Sequence, residues 1–171
     1  MPLMKISMYE ASAPRFAAML RNLAALLDKA QAHAEARKID PSALLQARLF
    51  PDMFPLARQV QIACDTAKGA VARLAGAEIP KHEDTEQTFQ ELKARILKTL
   101  DFIESVKRER FEGSDEREVT VRLRGQDTKL GGLQYLLGTA YPNFYFHVTT
   151  AYDLLRHNGV ELGKRDFLGN P

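Results

Sequence analysis

The stretch over residues 141–157 is apolar and aromatic on nearly every side, yet it holds Asn143, His147, Thr149 and Thr150. A helix that is apolar all round is buried all round. Asn143 and His147, four residues apart, then share one face. A buried imidazole and a buried amide each need partners, because an unsatisfied buried polar group costs about 1–3 kcal/mol. Two arrangements supply them. Either the pair bonds to polar groups of a facing helix, with Gln59 and Gln61 as candidates, or it coordinates a metal or ligand in the core of a bundle.

The spacing suits two ligands on a helix, but Asn is a poor ligand for zinc or nickel beside His, and one His does not hold a transition metal. The other histidines are badly placed to help. His33 falls near the end of a helix, His82 in a polar linker, and His157 at a helix C-terminus, where a cationic imidazole suits the dipole without any site. The expectation is a structural His147, with a ligand-binding His147 as the alternative. Cys64 sits mid-helix with no basic residue beside it in sequence and reads as an inert buried thiol. No Gly-rich loop precedes a helix, and there is no nucleophile elbow and no HExxH.

Several elements must position these residues. Over residues 12–37, Phe16, Met19, Leu20, Leu23, Leu26, Leu27 and Ala30 follow the three-four spacing of one helix face, with Ser12 as its N-cap and Pro14 in the first turn. Asp40 and Pro41 start a short helix. Leu56, Val60, Ala63, Ala67, Val71 and Leu74 form a second seam, stopped by Gly76. Asp84 with Gln87 gives a capping pattern ahead of a third seam through Phe89, Leu92, Ile96, Leu100, Ile103 and Val106. The run Lys107-Arg108-Glu109-Arg110 reads as a solvated helix end. Val119, Val121 and Leu123 then alternate with polar residues, and Gly125-Gln126-Asp127 supplies the turn of a small hairpin closed by Gly131-Gly132. A last helix starts near Leu133, is kinked or restarted at Pro142, and stops at Asn158-Gly159. The tail beyond it reads as irregular, with Phe167 and Leu168 available to dock.

Four long amphipathic helices with short connections bury their faces best by packing together. The expectation is an all-α chain, one domain over residues 1–171. It is an up-down helical bundle of mostly antiparallel neighbours, with the hairpin inserted before the last long helix. At 171 residues and 19.2 kDa the chain can bury roughly 70% of its unfolded surface. With 24 basic against 22 acidic side chains, the net charge of +2 argues against an electrostatic nucleic-acid binder. The first residues carry no signal-like apolar run, and no run of about eighteen apolar residues occurs. One cysteine suits a reducing compartment. A cytoplasmic protein with no membrane partner is expected.

The segment Pro142-Asn143-Phe144-Tyr145-Phe146-His147-Val148-Thr149-Thr150-Ala151-Tyr152 is followed by Leu155-Arg156-His157-Asn158-Gly159-Val160 and by Gly163-Lys164-Arg165-Asp166-Phe167-Leu168-Gly169. It resembles the bacterial domain-of-unknown-function family nineteen ninety-three, related to the DinB/YfiT-like four-helix superfamily. Leu26-Leu27-Asp28-Lys29-Ala30 and Phe54-Pro55-Leu56 with Gln59-Val60 extend the likeness over essentially the whole chain. The resemblance implies a DinB-like bundle, often dimeric, whose relatives hold a divalent metal through three histidines. One comes from the second long helix and two from an HxxxH pair, and several relatives are thiol-dependent transferases or isomerases. Carried over, His147 matches the second histidine of the pair, Asn143 stands at the first, and Gln59, or nearly as well Gln61, stands at the helix-two position. Two of the three ligands are replaced.

Three functions are therefore in view. The first is a bundle with a degenerate metal site that binds a small molecule in a polar pocket around Gln59, Asn143, Tyr145 and His147. The second is a metal-dependent, thiol-transferase-like enzyme with an altered ligand set, His147 being the metal ligand with Asn143 and Gln59 at the other positions. The third is a non-catalytic homodimeric interaction protein.

Overall fold

Helix α2 (Ala13–Arg37) begins where Pro14 can sit without a lost hydrogen bond, in the first turn. Ser12 precedes it as expected, but its hydroxyl donates back to the Met8 carbonyl (2.6 Å) because one turn of helix, α1 (Met8–Ala11), runs straight into it. Phe16, Leu20, Leu23, Leu27 and Ala30 form the fully buried stripe of α2. A short α3 (Pro41–Leu45), capped by Asp40, leads to α4 (Leu56–Ala75), the most deeply buried helix, which Gly76 ends in the left-handed conformation. The computed structural model describes residues 6–169. The reading of the first five residues as part of a leader-free start, and the last two residues of the tail, lie outside that range.

Helix α5 (Phe89–Ser105) starts later than the Asp84–Gln87 pattern suggests. Thr88 is its N-cap, in a reciprocal capping box with Glu91. Asp84 is drawn away into ion pairs with Arg58 and Arg95. Residues 77–88 therefore form a strap instead of a tight connection. It runs back along α4, so that Asp84 lies by Arg58 and Glu86 by Gln61, near the start of α4. Consequently α5 lies parallel to α4. The antiparallel expectation holds for α2 with α5, tied by Asp28–Lys93 and Arg21–Glu104.

The basic run after α5 is exposed, as expected, but it is not idle. A 3₁₀ turn, Arg108–Phe111, holds Arg110 against the Ala75 and Gly76 carbonyls, and Arg117 donates to the Leu74 carbonyl. These arginines satisfy the orphan acceptors at the C-terminus of α4. Strands β1 (Glu118–Leu123) and β2 (Gln126–Gly131) pair antiparallel, Leu123 opposite Gln126. The turn is Arg124-Gly125, one residue earlier than the sequence suggests. Both residues have positive φ (50° and 82°), the twist-matched geometry of a two-residue hairpin. Val119 and Val121 lean on the helices, which stabilises a hairpin that would be marginal alone.

The final helix is continuous. Helix α6 (Gly132–Tyr135) passes through a π-turn, Leu136–Ala140, into α7 (Tyr141–His157). The Tyr141 N–H reaches the Leu136 carbonyl, five residues back. The wider turn loosens the ladder where the Pro142 ring would otherwise meet the carbonyl four residues earlier, so the helix neither breaks nor restarts. The tail folds into α8 (Lys164–Leu168), docked by Phe167 against Tyr152 and Asn22, while Leu168 stays exposed. Round the bundle the order is α2, α5, α4, α7, with α2 and α4 touching across the middle. The architecture is a helical bundle with a small hairpin ahead of its last long helix.

Candidate functional site

The facing of α4 and α7 decides which polar groups meet. Gln59, in the first turn of α4, is 1% exposed, and His147, midway along α7, is 8% exposed. Gln59 Nε2 donates to the Phe54 carbonyl (3.0 Å), which fixes the amide so that Oε1 points at His147 Nδ1, 2.6 Å away. An amide oxygen only accepts, so Nδ1 carries the proton. Nε2 is then the lone-pair nitrogen of the ring. Among the described residues it has no protein partner, and it is not sealed from solvent. Burial, and then the positive charge of Arg58, hold the His147 pKa below its ordinary value. The ring is neutral at pH 7, with one open acceptor.

One turn away, Asn143 Nδ2 donates to Thr66 Oγ1 (2.8 Å). Thr66 lies seven residues beyond Gln59, on the same face of α4. Asn143 and His147 therefore face one stripe of α4 in antiparallel register. Tyr145 does not join them. Its ring packs on Tyr141 and Phe144, and Phe144 in turn meets Phe16 of α2. Gln61 also turns away, toward Arg58 and Glu86. Of the four residues expected to share one pocket, the structure joins Gln59 to His147, sets Asn143 beside them, and sends Tyr145 to another face of α7.

The donor set can be compared with what a divalent ion needs. Gln59 Oε1 accepts from His147 and Asn143 Nδ2 donates to Thr66, which leaves one imidazole nitrogen and the neutral amide oxygen of Asn143, a poor ligand for zinc or nickel. Among the described residues no three His, Cys, Asp or Glu side chains are placed to hold a metal ion. These residues do not fit the three-histidine site of DinB-like relatives. Cys64 offers no alternative: burial pushes its thiol up to about 12, far from a reactive thiolate.

A second polar arrangement escaped the sequence reading. Arg95 is 3% exposed, between α4, α5 and the strap. Its Nη2 donates to Asp65 (2.8 Å) and Asp84 (2.9 Å), and its Nη1 to Glu86 (3.0 Å) and the Glu83 carbonyl (2.9 Å). Lys68, 4% exposed, shares Asp65 at 2.6 Å. The signal was present: Arg95 lies three residues from Leu92, on the apolar side of α5, and Lys68 interrupts an otherwise small and apolar stretch of α4. A charge on a buried face has to be paired.

A helical bundle with its polar pair between the second and last long helices has the architecture of the DinB-like superfamily. Over residues 8–168 the sequence matches DUF1993, described as a domain of unknown function, and the chain belongs to that family. It is also similar to a solved structure, a DinB family member protein from Shewanella denitrificans. The two are 47% identical and superpose with a TM-score of 0.90, covering 95% of this chain and 92% of that one. No curated protein matches the chain. Among the described residues no helix is long and apolar enough to cross a membrane.

Proposed function

We propose that this DinB-like protein binds a small molecule through His147 Nε2, at a site where a hydrogen-bonded glutamine stands in place of a metal ligand. One observation carries the reading. Gln59 sets the tautomer of a buried, neutral imidazole and leaves its remaining nitrogen open, which is how a ring is prepared to accept a proton or a hydrogen bond. Gln59 orients, His147 accepts, Asn143 lies at the edge, and Tyr145 contributes packing. A buried cysteine that needs no disulfide fits a reducing compartment, and placement in the cytoplasm is part of this reading.

Two measurements test it. Brief diethylpyrocarbonate treatment with peptide mass spectrometry should acylate His147 in the folded protein despite its burial. An unreactive His147 beside modified His33 and His157 would mean the nitrogen is not open. A fragment screen by ligand-observed NMR should then find binders lost in His147→Leu with helix content unchanged. Hits that bind both proteins equally would place the site elsewhere.

The metal-dependent enzyme has less support, since Gln59 Oε1 is spent on His147 and Asn143 offers only a neutral amide oxygen. Metal analysis before and after incubation with zinc, nickel and manganese should show no near-stoichiometric metal that His147→Ala removes. The homodimer has one observation in its favour: Phe54, Phe146 and Leu137 are each more than half exposed. Light scattering at micromolar concentration decides, and a monomer would count against it.

A further inference from the structure

Because the strap returns along α4, it leaves a cleft of about 590 Å³ between itself and that helix. Lys68 and Arg73 of α4 lie on one side and Ile79 and Pro80 of the strap on the other. Two features aim positive charge into it. Lys68 lines the cleft with its side chain 5% exposed, and of its ammonium's three donors one is used, on Asp65. Arg73 lies folded over Gly69, where a Cβ would stand 2.7 Å from its Nη1, so the missing side chain is what lets the guanidinium lie there. Its contacts hold it loosely: bonds of 3.4 Å to the Thr120 carbonyl and to the Tyr135 hydroxyl, and the Tyr135 ring 5.7 Å below.

We propose that this cleft binds a small organic anion, with Lys68 and Arg73 on its carboxylate or phosphate head and Ile79 and Pro80 against its apolar body. The carboxylates present do not cancel this charge. Asp65 is shared between Lys68 and Arg95, and Glu83, exposed on the strap, is offset by its exposed neighbour Lys81. The field at the adjoining His82 has the same sign: burial, then Lys68, Lys98 and Arg95, hold its pKa below the ordinary value against Asp65. An apolar wall facing unspent cationic donors recognises an acid with a hydrophobic body and discriminates against a neutral or cationic one.

The test is calorimetric titration with benzoate and with phenyl phosphate, against sodium chloride at matched ionic strength. At least one probe should bind beyond the salt effect, and the preferred probe distinguishes a carboxylate from a phosphate head. Lys68→Met keeps the volume and leaves Asp65 with Arg95. It and Arg73→Gln should each weaken the preferred probe roughly tenfold, the loss of one charge-assisted contact. Gly69→Ala, which displaces Arg73, should weaken it in the same direction. Absence of binding in the native protein, or binding unchanged in the variants, overturns the proposal. If Lys68→Met loses helix content, Arg73→Gln decides alone, because its side chain is not part of the core.

Discussion

Helix α4 buries polar groups against two different neighbours, and the two arrangements differ in kind. Toward α7, Gln59 and His147 are neutral, share one short hydrogen bond and leave one nitrogen open. Toward α5 and the strap, Arg95 spends four donor contacts on three carboxylates and a carbonyl, with Lys68 drawn in beside it. Desolvating a neutral pair costs little once its bond is made. Desolvating ions costs several kcal/mol each, so every partner must be in place. The charged arrangement therefore fixes where the chain goes, holding residues 83–86 against the bundle. The neutral one is free to keep an atom available.

Removing the centre of the charged arrangement should have the largest effect. Arg95→Met removes the cation that Asp65, Asp84 and Glu86 share, leaving them only Lys68, Arg58 and Gln61 respectively. Losing one partner of a buried charge cluster costs about 3–5 kcal/mol. Asp65 and Asp84 are more than a third exposed, which screens them and puts the expectation near the lower end. Urea unfolding followed by circular dichroism measures it. A change under about 1 kcal/mol, the range of surface pairs, would make Arg95 no more than a surface contact. Limited proteolysis should then cut first within residues 77–88, since the strap has lost its anchor.

Next comes the neutral pair. His147→Leu leaves Gln59 Oε1 buried without a donor, at about 1–3 kcal/mol. Gln59→Leu frees His147 Nδ1 and the Phe54 carbonyl together, at a similar cost. The double variant should recover part of the sum, because an apolar pair leaves fewer groups unsatisfied than either single change. Strict additivity in this cycle would mean the 2.6 Å contact contributes nothing to stability, and the contrast between the two arrangements would fail.

The pH dependence separates the buried imidazoles from the hydrogen-bonded surface carboxylates by the window in which each acts, not by sign. Folded His147 binds its proton less readily than the unfolded chain, so its contribution is complete above 6.5 and is lost as pH falls below that value. His82 acts in the same direction. The carboxylates whose pKa is lowered, such as Glu91 and Asp166, lose their contribution only in more acid solution. Thermal unfolding between pH 5 and 8 should show the native protein weakening below pH 6.5 and His147→Leu weakening less, with the remainder from His82. A flat native profile over that window would mean that neither ring is held neutral.

What could be read from the sequence follows the range of the interaction that creates it. The stripes of α2, α4 and α5 were legible because each is a local period, and the facing of His147 by Gln59 or Gln61 followed from a buried group needing a partner. The start of α5 was misplaced because Asp84 is claimed by Arg95, eleven positions on, and no local pattern encodes that preference. The π-turn was invisible for a related reason. Pro142 announces a disturbance, but whether a helix breaks or widens depends on what packs around it. One additional residue in that turn rotates the faces on either side by about 100°. Tyr145, two residues from both Asn143 and His147, was grouped with them by sequence proximity, although the helical period sends it to another face.

The smallest effect bears on whether the neutral site is one unit or two. Asn143 is exposed and its bond to Thr66 competes with water, so Asn143→Ala should cost no more than about 0.5–1 kcal/mol. More telling is its coupling to His147. The two side chains share a face but no partner, so their single-variant losses should add within about 0.3–0.5 kcal/mol. Coupling well beyond that would mean Asn143–Thr66 and Gln59–His147 act as one polar stripe along α4, and a ligand on His147 would then be felt at Asn143. Additivity leaves His147 Nε2 as the single responsive atom, with the Asn143 contact a clasp between two helices.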